Sequence, residues 1–114
     1  MSFPTPRALV VPSSMAKQSY TMTEKVWLYP GDMAAWHFVT LTKATGKEIK
    51  ETYGPSARGF GSLPVEVTIG KTTWKTSIFP DKYSGSYLLP LKAKVRKSEG
   101  IDVGDMVRFS ITII

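Results

Sequence analysis

The sequence predicts a small, mainly antiparallel β-barrel covered by two short helices. Three observations carry that expectation: a meander of three extended runs in residues 63–90, an alternating last strand, and two short helical windows marked by caps and stops. In the meander, LPVEVTIGKTTWKTSIFPDKYSGSYLLP, Leu63, Val65, Val67 and Ile69 alternate with Pro64, Glu66 and Thr68. That period of two buries one face of a strand. Residues 70–73 break the run and residues 74–79 resume it with aromatic and β-branched side chains, which makes a hairpin. A second break at residues 80–85 precedes the short run 86–89.

Taken in order, residues 1–16 carry Pro4, Pro6 and Pro12 and fit a loose arm or a partial edge strand. The single barrel domain is expected over residues 17–114. Residues 19–29 form its first strand, with Tyr20, Met22, Val26 and Leu28 on one face and Glu24 among them. A carboxylate there marks a bulge, a barrel mouth or a functional acid, because an ionised carboxylate is seldom buried unless paired. Pro30-Gly31-Asp32 is a turn signature, and residues 35–41 form the second strand. Trp36 and Phe38 take one of its faces and His37, Val39 and Leu41 the other, so both faces need cover.

Thr45-Gly46-Lys47-Glu48 fits a capping box, with Ile49 and Tyr53 sharing a face of the helix that follows and Gly54-Pro55 ending it. The second helix is expected over residues 91–99. Leu91 and Val95 are its apolar stripe, and Gly100 takes the left-handed position after it. Gly104-Asp105 turns the chain into the last strand, where Val107, Phe109, Ile111 and Ile113 alternate with Met106, Arg108, Ser110 and Thr112.

Composition narrows the function classes. A chain of 114 residues suits one domain, and 42% hydrophobic with 21% charged residues is the balance of a folded globule. The absence of cysteine excludes disulfides, zinc–thiolate sites and thiol nucleophiles, and fits a reducing cytoplasm. The apolar run Ala8-Leu9-Val10-Val11 is too short for a signal peptide, and no run suffices to span a bilayer, so a soluble cytoplasmic protein is expected. The net charge of +6 is concentrated between Arg58 and Lys97, where eight bases face only Glu66 and Asp81. Such a field favours anionic partners.

The order RGFG, IGKTTWKTSIFP, YLLPLKAKVRK, then Gly104-Asp105 before a terminal strand, resembles the bacterial family called domain of unknown function 1905. The similarity runs back through Val26-Trp27 and AWHFV to about Lys17. It implies a double-split β-barrel and no assigned activity. A smaller likeness lies within it: Leu89-Pro90, a basic helix with Arg96 and then Gly104-Asp105 resemble the hairpin unit of AbrB-type regulators, which bind DNA as dimers. Here six residues separate Pro90 from Arg96, longer than in that motif. A shared fold does not carry DNA binding with it.

Four groups of residues are candidate sites. The Arg58-Gly59-Phe60-Gly61 loop could cradle an anion on backbone N–H groups, although tight-turn geometry alone accounts for its glycines. Lys75, Ser77 and Phe79, with Trp74 beside them, have the chemistry of a stacking and phosphate-binding platform; the plainer account packs Trp74, Thr76 and Ile78 inward. Lys92, Lys94, Arg96 and Lys97 crowd one helix and either contact phosphates or solvate it. His37, the only histidine, has no triad spacing around it, and no metal or cofactor is expected.

The resulting expectation is a non-catalytic module that binds an anionic small molecule or nucleic acid. Arg58, Lys75, Lys82 and Arg96 are its anion contacts and Trp36, Phe60 and Trp74 its aromatic walls. One alternative is an enzyme with a site inside the barrel around Glu24; another is a homodimeric interaction domain. No membrane partner is expected.

Overall fold

The structure, a computed structural model, describes residues 18–30 and 36–114. The expected arm 1–16 and the Gly31-Asp32 turn lie outside the described residues. Seven strands and two helices follow in the order β1 (Ser19–Lys25), β2 (Trp27–Leu28), β3 (His37–Thr40), α1 (Lys43–Tyr53), β4 (Leu63–Ile69), β5 (Thr72–Asp81), β6 (Ser86–Pro90), α2 (Ala93–Glu99) and β7 (Met106–Ile113). All pairings are antiparallel, in the order β1-β7-β4-β5-β6-β3-β2.

The sheet curls around one core but does not close into the expected barrel. Its two terminal strands, β1 and β2, are successive pieces of one extended stretch joined by Val26. Consecutive pieces without a turn between them cannot pair with each other. Val26 instead donates its N–H to the Asp105 carbonyl at 2.9 Å and accepts from Gly104 N–H at 2.8 Å, so the stretch bends across the β7 turn. Leu28, expected on the inner face, lies past this bend in a two-residue edge strand and is exposed.

Register follows the apolar pattern. Val67 stands opposite Trp74 and Ile111, and Met22 opposite Phe109, with all of these side chains in the core. Hydroxyl pairs line the other face: Ser19 with Thr112 and Thr21 with Ser110, each at 2.7 Å, and Thr68 with Thr73 at 3.0 Å. Each buried Ile, Val or Phe contributes about 1.5–3 kcal/mol, whereas a cross-strand polar pair adds roughly 0.2–1 kcal/mol. Core burial therefore sets the register, and a slip of one residue would expose the whole apolar set.

Two element boundaries differ from expectation. Helix α1 starts earlier, with Thr42 as its cap: Thr42 Oγ1 accepts from Thr45 N–H at 3.2 Å and donates to Thr45 Oγ1 at 2.8 Å. Glu48 is thus no capping-box partner; it accepts the Tyr20 hydroxyl at 3.2 Å and ties α1 to β1. Burial, then the Glu48 charge and this hydrogen bond, push the Tyr20 hydroxyl up to about 12. Burial also raises the Tyr87 hydroxyl above its ordinary range.

Strand β5 continues through Pro80, which was expected to end it. Its first part pairs with β4 as far as Ile78, and Phe79–Asp81 pair only with β6. Proline is tolerated there because no ladder on the other side needs its missing N–H.

Candidate functional site: a cationic aromatic cleft

Helix α2 lies against β5 and, with its cap, carries Lys92, Lys94, Arg96 and Lys97. Lys92 caps it, Val95 anchors it in the core, and Gly100 ends it at φ 65, the left-handed region open to glycine. Lys92 and Arg96, one turn apart, therefore face the same side. The helix is shorter than the expected 91–99, because Lys92 is extended and Leu91 belongs to the sheet side: the Leu91 N–H donates to the His37 carbonyl at 2.9 Å while its side chain enters the core.

Arg96 is half-buried, and its Nε–H donates to the Leu91 carbonyl at 3.0 Å. That bond holds the guanidinium plane against the loop before the helix. Through Leu91, the same contact links the arginine to β3. A guanidinium held in place loses less entropy when it grips an anion than a freely rotating ammonium does.

Between α2, β3 and β5 lies a cleft of about 440 Å³ lined by Trp36, His37, Trp74, Lys75, Thr76, Pro90, Leu91, Lys92, Ala93 and Arg96. Its size falls in the range that holds a small ligand. Among the described residues Lys75, Lys92 and Arg96 line it and no carboxylate does, so these residues give it a positive field. Trp36 is 53% exposed and stacks on Phe38, with ring centroids 6.0 Å apart and planes 20° from parallel. Phe38 in turn lies under Trp27 and Tyr29, at 5.3 and 6.0 Å. This cluster covers the outer face of β3 and makes Trp36 a supported wall rather than a loose side chain. Trp74, nearly buried, forms the floor from β5.

The cleft unites four of the residues expected from the sequence, Trp36, Trp74, Lys75 and Arg96. The others stand apart from it. Arg58 is exposed and borders a smaller hollow of about 160 Å³ with Tyr53 and Ile113. Its loop turns on itself: Arg58 N–H donates to Ser62 O and Gly61 N–H to Arg58 O, each at 2.9 Å, and Ser62 N–H to Gly59 O at 3.3 Å. Those amides are therefore not directed at an anion. Phe60, at φ 61, is 99% exposed at the loop tip. Ser77 is half-buried opposite Pro64, and Lys82 is exposed in the turn between β5 and β6. Glu24 is half-buried at the end of β1 opposite Val107, outside the cleft.

Lys92 and His37 also line the cleft; the sequence offers Lys92 with its helix neighbours as a phosphate contact without placing it among the chosen anion contacts, and it marks His37 as a packed or surface residue. The four-residue spacing of Lys92 and Arg96 was the available signal for the first; nothing local pointed to the second. Among the described residues no group of three or more His, Cys, Asp or Glu is placed to hold a metal ion, and no helix is long and apolar enough to cross a membrane.

No curated protein matches the chain. A family model described as Domain of unknown function (DUF1905) matches residues 23–111, which run from within β1 to within β7 and include every residue of the cleft. The chain, with its curled antiparallel sheet and its cationic aromatic cleft, belongs to the DUF1905 family.

Proposed function

We propose that this chain is a non-catalytic binding module for an anionic ligand with a planar group, held in the cleft beside α2. The observation that carries the reading is the convergence of Lys75, Lys92 and Arg96 on one cleft with two tryptophans and, among the described residues, no carboxylate. A planar group stacks on Trp36, while the anionic group meets the fixed Arg96 guanidinium and the two ammonium groups. A nucleotide, free or at the end of a single strand, has both parts.

Two stretches are each shared between ladders, residues 19–28 and β5, and this supports reading the sheet as a double-split variant of a barrel. The cysteine-free sequence supports a reducing compartment.

The test is binding of nucleoside monophosphates and short single- and double-stranded oligonucleotides at two salt concentrations. Binding is expected to prefer single strands and to weaken with salt; about three neutralised phosphates give a log–log slope of about −2. Arg96→Ala is expected to weaken it roughly 10- to 100-fold, the worth of a charge-assisted hydrogen bond, and Arg96→Lys to restore little. No binding of any of these at low salt would sink the reading.

A further inference from the structure

A second cleft, of about 590 Å³, shares no lining residue with the first. It lies beside the β2 edge and the β5–β6 turn, and Trp27, Tyr29, Tyr83, Leu88 and Asp81 line it. The two clefts differ in sign. Among the described residues, Lys75, Lys92 and Arg96 line the first without an acid, whereas Asp81 lines the second without a lysine or arginine. Lys82, next along the chain, is exposed and is not part of that lining. In a chain of net charge +6, an acid set in an aromatic cleft marks a place for a cation that the surface elsewhere repels.

The groups that would meet the cation are held by their neighbours. Trp27 Nε1–H donates to Thr40 Oγ1 at 2.9 Å, and the Trp27 ring packs on that of buried Phe38, with centroids 5.3 Å apart. Tyr29 lies 6.3 Å from Trp27, with 36° between the ring planes, and meets Phe38 edge-on at 6.0 Å. Asp81 Oδ2 accepts Ser84 N–H at 3.0 Å, which orients the carboxylate. One such bond leaves a carboxylate most of its acceptor capacity and all of its charge.

The lining also decides which cation. A bare ammonium or metal ion is strongly hydrated, and one carboxylate among apolar walls does not replace its water. A methylated ammonium group is different: its charge is spread over methyl groups that gain from apolar contact and from aromatic π-systems together. Three aromatic rings, a leucine and one carboxylate supply that mixture, in a cleft of the size that holds a small ligand.

We propose that this cleft binds a small organic cation bearing a methylated ammonium group, its charge beside Asp81 and its methyl groups against Trp27, Tyr29 and Tyr83. The proposal stands independently of the anion site.

The test is a titration of the full chain with choline, followed by nuclear magnetic resonance at the Trp27 indole N–H and the Ser84 amide. Both signals are expected to move saturably, while the indole N–H of Trp74, in the other cleft, stays in place. The uncharged isostere of choline, with carbon in place of nitrogen, is expected to need roughly 10-fold higher concentrations, the combined worth of the π contacts and the Asp81 charge. Asp81→Asn and Tyr83→Leu should each weaken choline roughly 2- to 5-fold and leave the isostere unchanged. Tyr83 is fully exposed, so its replacement tests the site without disturbing the core. Equal binding of choline and its isostere, equal binding of ammonium ion, or no movement at millimolar choline would each overturn the proposal. Binding of a trimethyl-lysine peptide without binding of choline would also overturn it, by giving the cleft to a modified protein.

Discussion

At Gly46 a poor helix former stands inside α1 for a packing reason. A Cβ there would lie 2.8 Å from Ser86 Cβ and 3.0 Å from Ser86 Cα, so the missing side chain lets α1 press against β6. The contact is sealed by Ser86 Oγ, which donates to the Thr42 carbonyl at 3.1 Å. In an open helix Gly→Ala would gain up to about 1 kcal/mol, but overlap with a neighbouring backbone costs about 1–3 kcal/mol. Gly46→Ala is therefore expected to lower stability by about 1–2 kcal/mol, read as a fall in urea midpoint with an unchanged slope. Nothing near Gly46 in the sequence announces this, because Ser86 is distant along the chain. The chemistry of the cleft was more legible: tryptophans, lysines and an arginine declare their type wherever they fall. Their grouping was not, and so Arg58 and Phe60, of equal promise on the page, end at a separate loop.

Among the elements, α2 matters most for the cleft because it carries Lys92 and Arg96. Its first turn is tied to β3 through Leu91, and its last turn to the β4–β5 hairpin, where Thr72 Oγ1 donates to Glu99 Oε2 at 2.6 Å. Thr72→Val and Glu99→Ala should each cost about 1 kcal/mol. If that bond is the shared cause, the double variant costs little more than either single change, and a double-mutant cycle by denaturant unfolding reads the difference as coupling energy. Additive losses would mean that the two side chains act separately. Strand existence was readable here because side-chain direction repeats every two residues. Strand ends were less so: Pro80 signals a stop, yet a proline facing an unpaired edge leaves no donor missing. The cap of α1 differs from expectation for a related reason, since Thr42 and Thr45 offer the same hydroxyl and only their geometry distinguishes them.

The whole molecule depends on Val26, the buried residue joining the two ends of the sheet. Its backbone holds the β7 turn through Asp105 and Gly104, and its side chain fills the core. Val26→Ala is expected to cost about 1–3 kcal/mol from the cavity left behind. The loss should shift tryptophan fluorescence and far-ultraviolet circular dichroism midpoints together, because one core serves both ends of the sheet. Separate midpoints would show that the β2–β3 end unfolds by itself.

By itself the sequence determined the buried faces of β1, β4 and β7, the turns at Gly70 and Gly104 and the positive balance of residues 58–97, since periodicity, turn chemistry and charge are local properties of the chain. Only the tertiary structure decided that the curled sheet stays open at Val26 and that Trp36, Trp74, Lys75 and Arg96 share one cleft. Those outcomes depend on which strands become neighbours and how a bent strand meets a distant turn, contacts made by residues far apart in the chain.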